Sequence, residues 1–324
     1  MRHETALIGA LRRNISAVSI APVFSTHSPQ PCPVLLPITT LRASSSSSSS
    51  SSLEKPPTTA LNPSAANPPP STRPPPLDLP TRAPETSTFS HLFRTAKAYV
   101  TFYKTGLRQI ATNTRVLYPS RGRDPPFPPP APNTRAALQF HARWRHDITR
   151  LPQFALILLV CGEFTPFIVP FFPGVVPYTC RIPAQVGQVL RAQEGRRRRA
   201  REEFGNKGGS LVVCTARALG LCSSMWERVG LGVPEGLVAG RVKKRLGFLG
   251  EDDRLLIEAG GVRALESEEV RIACIERGIG VLERDEKTLR RVLHEWLSIV
   301  GKKGLSQSNR EAKMMELILR EEKH

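Results

Sequence analysis

The chain has 324 residues and carries 46 lysines and arginines against 28 acidic residues, so its net charge is +18 and its pI is near 10.4. This surplus favours anionic partners, either nucleic acid or acidic lipid, over cationic ones. The 30 prolines, many of them in the first 133 residues, exclude one core over the whole length, and the 6 cysteines contain no CxxC pair, which argues against a disulfide framework or a metal site.

Residues 1–30 have the profile of a mitochondrial presequence. Arg2, Arg12 and Arg13 stand against a single acidic residue, and apolar residues recur at helical spacing. An ordinary basic tail without structure is the alternative.

Residues 31–88 are rich in serine and proline and poor in large apolar side chains. We predict a disordered linker there, because such a segment cannot bury enough surface to offset the entropy of ordering.

Residues 89–150 are predicted to form a basic amphipathic helical segment. Apolar residues recur on one face of its first part, and arginines and lysines line another. Such a helix lies on an anionic membrane surface or packs its apolar stripe against the folded domain. After a proline-rich loop, residues 135–150 continue as a second basic helix, whose boundary we expect at Pro152.

Residues 151–177 form the apolar run that is long enough to cross a bilayer, which takes about 20 mostly apolar residues. We predict a single proline-kinked transmembrane helix, regular to about residue 164. A buried hairpin in a soluble domain is the alternative. The expected helix-break positions are Pro166, Pro170, Pro173 and Pro177.

Glu163 is the one formally charged side chain in this run. An ionisable group in hydrocarbon is costly and tends to be functional, so Glu163 is a candidate ion or proton site. A carboxyl group that only fixes helix packing is the alternative.

Two basic clusters follow the apolar run. Their members are Arg196, Arg197, Arg198, Arg199 and Arg201 in the first cluster, and Arg241, Lys243, Lys244 and Arg245 in the second. Basic residues are denser after the apolar run than before it, so the positive-inside rule places the C-terminal side in the matrix. The first cluster is either a solvated helix face near lipid headgroups or a contact for the phosphates of RNA. Both clusters are candidates for charge contact with RNA or an acidic protein.

Residues 178–300 are predicted to form an all-α helical array. Glycines separate short segments of helical periodicity, and no stretch is dominated by strand patterns. The strongest of these helices spans residues 286–300, where apolar side chains form one stripe. Residues 301–324 are expected to be a C-terminal tail with a short helix at residues 309–322.

Residues 231–297 resemble the ribosome-binding domain of the LETM family of mitochondrial inner-membrane proteins, and weaker similarity extends over residues 90–298. The matching positions include Asp252, Asp253, Gly261, Cys274, Arg277, Gly278 and Trp296. The resemblance implies a mostly α protein with the 14-3-3-like fold of that domain, single-pass in the inner membrane, with its C-terminal domain in the matrix. It also implies binding to the mitochondrial ribosome, through RNA or a ribosomal protein, contact with inner-membrane lipid, and roles in membrane protein biogenesis and matrix ion homeostasis.

The family also implies potassium/proton or calcium/proton exchange, for which Glu163 would be the proton-coupled site of a homo-oligomer. The chain departs from longer members of the family, since it has no D-x-D-x-D-G calcium loop and no sustained heptad coiled coil.

Enzyme motifs are weak: His294 and Glu295 begin an HExxH-like string, but Ser298 stands where the second histidine is required. We therefore expect neither an enzyme nor a cofactor.

Overall fold

The computed structural model describes residues 63–81, 87–119, 122, 124–162, 174–222 and 233–320, all of which lie in one compact unit. These residues form nine α-helices and contain no strand, so the prediction of a mostly α chain is confirmed. The helices are α1 (Pro63–Ala66), α2 (Thr88–Leu117), α3 (Arg135–Cys161), α4 (Pro183–Lys207), α5 (Leu211–Ala218), α6 (Glu235–Glu258), α7 (Ser267–Glu276), α8 (Glu286–Val300) and α9 (Gln307–Leu319).

Helices α4 to α9 pack around one apolar core. Its fully buried side chains include Leu246 and Leu256 of α6 and Leu293 of α8, which come from the apolar stripes of their helices. Helix α9 adds Met314 and Ile318 to the same core. The segment expected to be a C-terminal tail is therefore packed into the helical array over residues 307–319.

Helices α2 and α3 form an antiparallel pair with a second, smaller core. The Trp144 indole N–H donates to the Thr114 hydroxyl at 2.9 Å, and the rings of Tyr103 and Phe154 lie 5.8 Å apart. Gly106 allows the turn Tyr178–Cys180 to approach α2, since a Cβ there would lie 2.8 Å from the Thr179 carbonyl oxygen. The small core thus joins α2, α3 and the chain that leads into α4.

Helix α3 does not end at Pro152, as the sequence led us to expect. It continues through this exposed proline to Cys161, and Gly162 follows with a φ of 50°. A proline removes one backbone hydrogen bond, but the turns on either side of Pro152 keep their helical geometry. Among the described residues, no helix is both long enough and apolar enough to cross a membrane.

Several predicted features lie outside the described residues. These are the presequence over residues 1–30, Glu163, and the helix-break positions Pro166, Pro170 and Pro173. Pro177 is described and directly precedes the short 3-10 turn Tyr178–Cys180.

The prediction of a disordered linker is wrong for residues 63–81. Ala66 is fully buried against the helical array. The Asn67 side chain donates to the Ala264 carbonyl at 2.8 Å and accepts from the Glu266 N–H at 2.9 Å. The expectation of disorder rested on the scarcity of large apolar side chains, whereas polar contacts hold this segment in place.

Candidate functional site

A buried ionic network lies within the helical array, centred on Arg277 at the end of α7. Its guanidinium group donates from Nη2 to Asp252 Oδ2 and to Asp253 Oδ1, each at 2.6 Å, and the Trp296 indole N–H donates to Asp253 Oδ2 at 3.0 Å. All four residues are buried. The charged positions on which the resemblance rests therefore form one network that joins α6, α7 and α8, and their role in this structure is to hold these helices together.

The two glycines and the cysteine of the same motif also have structural positions. Gly278 has a φ of +81° and ends α7 in a Schellman arrangement, in which the Ile279 N–H donates to the Cys274 carbonyl at 3.0 Å and the Gly278 N–H to the Ile275 carbonyl at 3.2 Å. Gly261 has a φ of +72° at the start of the turn before α7. Because positive φ angles strain residues that have a Cβ, glycine suits both positions.

Helix α3 docks on this network through one stripe of side chains. Arg135 Nε lies 3.1 Å from Asp252 Oδ1, and the Gln139 amide donates to the same oxygen at 2.7 Å. One turn further along, Arg143 donates to both oxygens of Glu269, each at 2.8 Å. The helix pair α2–α3 is therefore attached to the array by buried polar contacts.

The sequence interpretation missed this attachment. It described residues 135–150 only as a basic helical segment. The available signal was the spacing of Arg135, Gln139 and Arg143, which places two arginines and an amide four residues apart on one helix face. The acidic partners are more than a hundred residues away along the chain, so the spacing alone did not identify them.

The network shifts the pKa values of its carboxyl groups in different directions. Burial raises the pKa of Asp252, but Arg135 and Arg277 outweigh burial and hold the pKa well below its usual range. At Asp253 burial dominates, and its pKa is raised despite the contacts with Arg277 and Trp296. The difference arises because Arg135 and Gln139 contact Asp252 rather than Asp253.

The pKa of Glu269 is lowered, like that of Asp252. Burial raises the pKa of its carboxyl group, but the hydrogen bonds and the charge of Arg143 outweigh burial, so the pKa lies below the usual range. Burial lowers the pKa of Arg143, and the Glu269 carboxylate more than reverses this effect. Both groups of this pair are therefore held in their charged forms.

The first predicted basic cluster is divided between the interior and the surface. Arg197 is 4 % exposed and donates to the carbonyls of Ile275 and Ile279, at 2.7 and 3.2 Å. Arg201 donates to the Ile318 carbonyl at 3.2 Å. Through these hydrogen bonds, the two arginines attach α4 to the C-terminal end of α7 and to α9. The others are half-buried or exposed: Arg196 is half-buried, and Arg198 and Arg199 are exposed.

The second predicted basic cluster lies mostly at the surface of α6. Arg241, Lys243 and Lys244 are exposed. Arg245 is half-buried, donates to the Glu276 carbonyl at 3.2 Å and stacks on the Phe248 ring at 5.3 Å. Helix α5 packs against both α4 and α6, so the two clusters are on helices that α5 connects. Three cations of the second cluster are thus available to an anionic partner.

The antiparallel α2–α3 pair carries exposed apolar side chains at one end, where α2 begins and α3 ends. We call this surface the apolar end; it consists of Phe89, Leu92, Phe93, Leu156, Leu159 and Val160. Leu159 is 82 % exposed and Phe89 is 80 % exposed. An apolar surface of this kind marks an interaction site more often than a solvated face. It includes the first part of the predicted apolar run and adjoins Glu163 in the sequence.

Comparison with known families gives two matches. Residues 225–320 match the family model described as LETM1-like, RBD, a ribosome-binding domain. This match covers α6 to α9 and confirms the resemblance drawn from the sequence over that region. Residues 129–207 match the model of the pentamidine resistance factor domain, which covers α3 and α4. No curated protein and no solved structure matches the chain.

Proposed function

We propose that this chain, which carries a LETM1-like ribosome-binding domain at residues 225–320, is a mitochondrial adaptor that contacts the mitochondrial ribosome. In this role it would support membrane protein biogenesis and matrix ion homeostasis without acting as an enzyme. The family match carries the proposal. It is supported by the three exposed cations Arg241, Lys243 and Lys244, which lie within the matched region.

Charge reversal on α6 tests the ribosome contact. We expect the full-length chain to co-sediment with purified mitochondrial ribosomes, and the triple variant R241E/K243E/K244E to lose most of this binding. The binding should also weaken steeply with salt, because each phosphate that is contacted releases counterions. Ribosome binding that is unaffected by the triple reversal would contradict the assigned surface.

A second triple variant controls for net charge. Arg263, Arg291 and Lys302 are also exposed cations of the matched region, and R263E/R291E/K302E changes the net charge by the same amount. We expect this variant to bind ribosomes nearly as well as the original chain. Equal losses in both variants would mean that only the overall charge matters.

We also propose that the apolar end faces the mitochondrial inner membrane, with the helical array in the matrix. The proposal is supported by the exposed side chains at that end, Leu159 and Val160 among them, and by the apolar sequence that continues from α3. Alkaline carbonate extraction and protease protection on isolated mitochondria test integration and orientation together. Release of the full-length chain by carbonate would contradict integration, and degradation of α6 from the intermembrane side would contradict the orientation.

The apolar end has its own matched variants. We expect L159E to be released from membranes more readily than the original chain, because a carboxylate at the apolar end would have to be desolvated. Leu237 of α6 is also exposed but lies outside this end, so L237E should leave membrane association unchanged.

The second function implied by the sequence resemblance, cation/proton exchange, rests on Glu163. This residue lies outside the described part of the chain, and no observation on the described residues favours exchange. The exchanger and the homo-oligomer that it requires therefore stay predictions.

A further inference from the structure

A basic groove runs along α4. It lies between α4 and the loop of residues 280–284, and its volume is about 850 Å³. This volume is within the range of sites that enclose a small ligand. The groove residues that matter here are Arg191, Glu194, Gly195, Arg198, Glu202 and Phe204. We call this feature the α4 groove.

The charge of the α4 groove is strongly positive. Its walls contain five arginines and two glutamates. Glu194 is already engaged, since its Oε1 accepts the N–H groups of Val281 and Leu282 at 2.9 and 3.1 Å. Arg198 has an 80 % exposed side chain and only a loose contact with Glu202 at 3.8 Å. The groove therefore presents cations that an incoming anion can approach from solvent.

The same groove contains an accessible aromatic ring and unfilled space beside two glycines. Phe204 is 37 % exposed. A Cβ added at Gly195 or Gly205 would meet no atom within 4 Å, so the space beside these glycines is open. An exposed ring next to arginines is the combination on which single-stranded nucleic acids bind, with bases on the ring and phosphates on the cations. An acidic peptide would use the cations but has no general need for the ring.

We propose that the α4 groove binds a single-stranded RNA segment. Arg191 and Arg198 contact its phosphates, and one base stacks on Phe204. This inference rests on the proposed ribosome contact and adds to it a second RNA-binding site, on a helix outside the region that matches the ribosome-binding domain.

Direct RNA binding tests the groove. The probe is a fluorescein-labelled oligouridine of about 12 nucleotides, a length within the usual site sizes, and the readout is fluorescence anisotropy with the full-length chain in detergent. In about 100 mM KCl we expect R191E/R198E to weaken binding by at least about tenfold, because two phosphate contacts are lost. The variant R263E/K302E has the same net charge and should bind within about twofold of the original chain.

Two uncharged changes separate a groove from a general charge effect. G195L places a side chain in the open space of the groove, whereas G187L adds the same side chain elsewhere on α4, where a Cβ also meets nothing within 4 Å. We expect only G195L to reduce RNA binding. F204A should weaken binding by about tenfold if a base stacks on the ring. Unchanged binding by both G195L and F204A would overturn the proposal.

Competition and sedimentation identify the ligand class and separate this inference from the proposed function. Displacement of the RNA probe by polyglutamate as effectively as by unlabelled RNA would assign the groove to acidic proteins and overturn the RNA assignment. Ribosome co-sedimentation that survives in R191E/R198E, with no oligouridine binding by the original chain, would reject the groove and retain the proposed function. RNA binding to the groove without any ribosome binding would retain the groove and reject the proposed function.

Discussion

Arg143 and Glu269 form a bidentate ion pair across the interface between α3 and α7, with both N–O distances at 2.8 Å. They are separated by 126 residues in the chain. Arg143 Nη1 also lies 3.3 Å from the Thr72 hydroxyl, and Arg73 Nε donates to Glu269 Oε1 at 3.1 Å. The pair therefore joins three parts of the chain, namely the segment before α2, helix α3 and the array.

The variant R143M tests how strongly this pair holds the interface. Removing one partner leaves the buried Glu269 carboxylate without its main counter-ion, so we expect the free energy of unfolding to fall by about 3–5 kcal/mol. Urea denaturation followed by circular dichroism measures the change. The matched control is R145M, since Arg145 is exposed on the same helix and its loss should have little effect. A change below about 1 kcal/mol in R143M would contradict a stabilising pair.

Acidification should destabilise the protein through Glu269. The pKa of its carboxyl group is lowered in the folded state from the ordinary value of 4.5, which the group regains in the unfolded chain. The unfolded state then binds more protons in acid, so the stability from this group is present above that value and is lost as the pH falls toward the folded pKa.

The variant E269Q isolates this contribution. The urea midpoint of the original chain should fall more steeply than that of E269Q when the pH is lowered from neutral into the acid range. Glu268 is exposed, and E268Q should keep the acid sensitivity of the original chain. Parallel pH profiles for E269Q and the original chain would show that Glu269 is not a source of acid sensitivity.

The variant G278A tests the left-handed end of α7. The φ of +81° at Gly278 is strained for any residue with a Cβ, and we expect a loss of about 1–2 kcal/mol in the free energy of unfolding. The nearest atom to an added Cβ is Ile318 Cγ2 at 3.4 Å, an ordinary contact, so the cost comes mainly from the backbone. Gly247 lies inside α6 with open space around it, and G247A should be neutral or stabilising. Equal effects of the two substitutions would reject this explanation.

The variant M314A tests whether α9 belongs to the core. Met314 is fully buried among the residues of the array, and its truncation to alanine should cost about 2–5 kcal/mol. Its neighbour Met315 is only half-buried, so M315A should cost clearly less. Thermal or urea unfolding of both variants provides the comparison. A negligible loss in M314A would mean that α9 contributes little to stability.

Local patterns predicted several helices well. Helix α8 has the predicted bounds, Glu286–Val300, because its apolar residues form a single stripe with Leu289, Leu293 and Trp296 buried. Such a stripe determines both the helix and the face it buries. The prediction that the helix ends at Pro152 was wrong, because a single exposed proline disfavours a helix only locally. The helical turns on either side of Pro152 remain intact.

Whether a charged side chain is buried or exposed was harder to predict from the sequence. Arg197 and Arg198 are adjacent in a run of arginines, yet Arg197 is buried against backbone carbonyls and Arg198 is in solvent. A charge run looks the same in both cases, because the carbonyl acceptors of Arg197 belong to residues far along the chain. The partners of Arg135 and Arg143 were unpredictable for the same reason.

The contacts of residues 66 and 67 limit where the predicted presequence could be removed. Arg135 Nη1 donates to the Ala66 carbonyl at 2.7 Å, and Asn67 bonds to the turn before α7. A protease that removes a leader must cut upstream of residue 66 if the mature chain is to keep these contacts. A cut further downstream would produce an N-terminus that leaves Arg135 and Ala264 without these partners, so the fold itself sets a limit on the cleavage site.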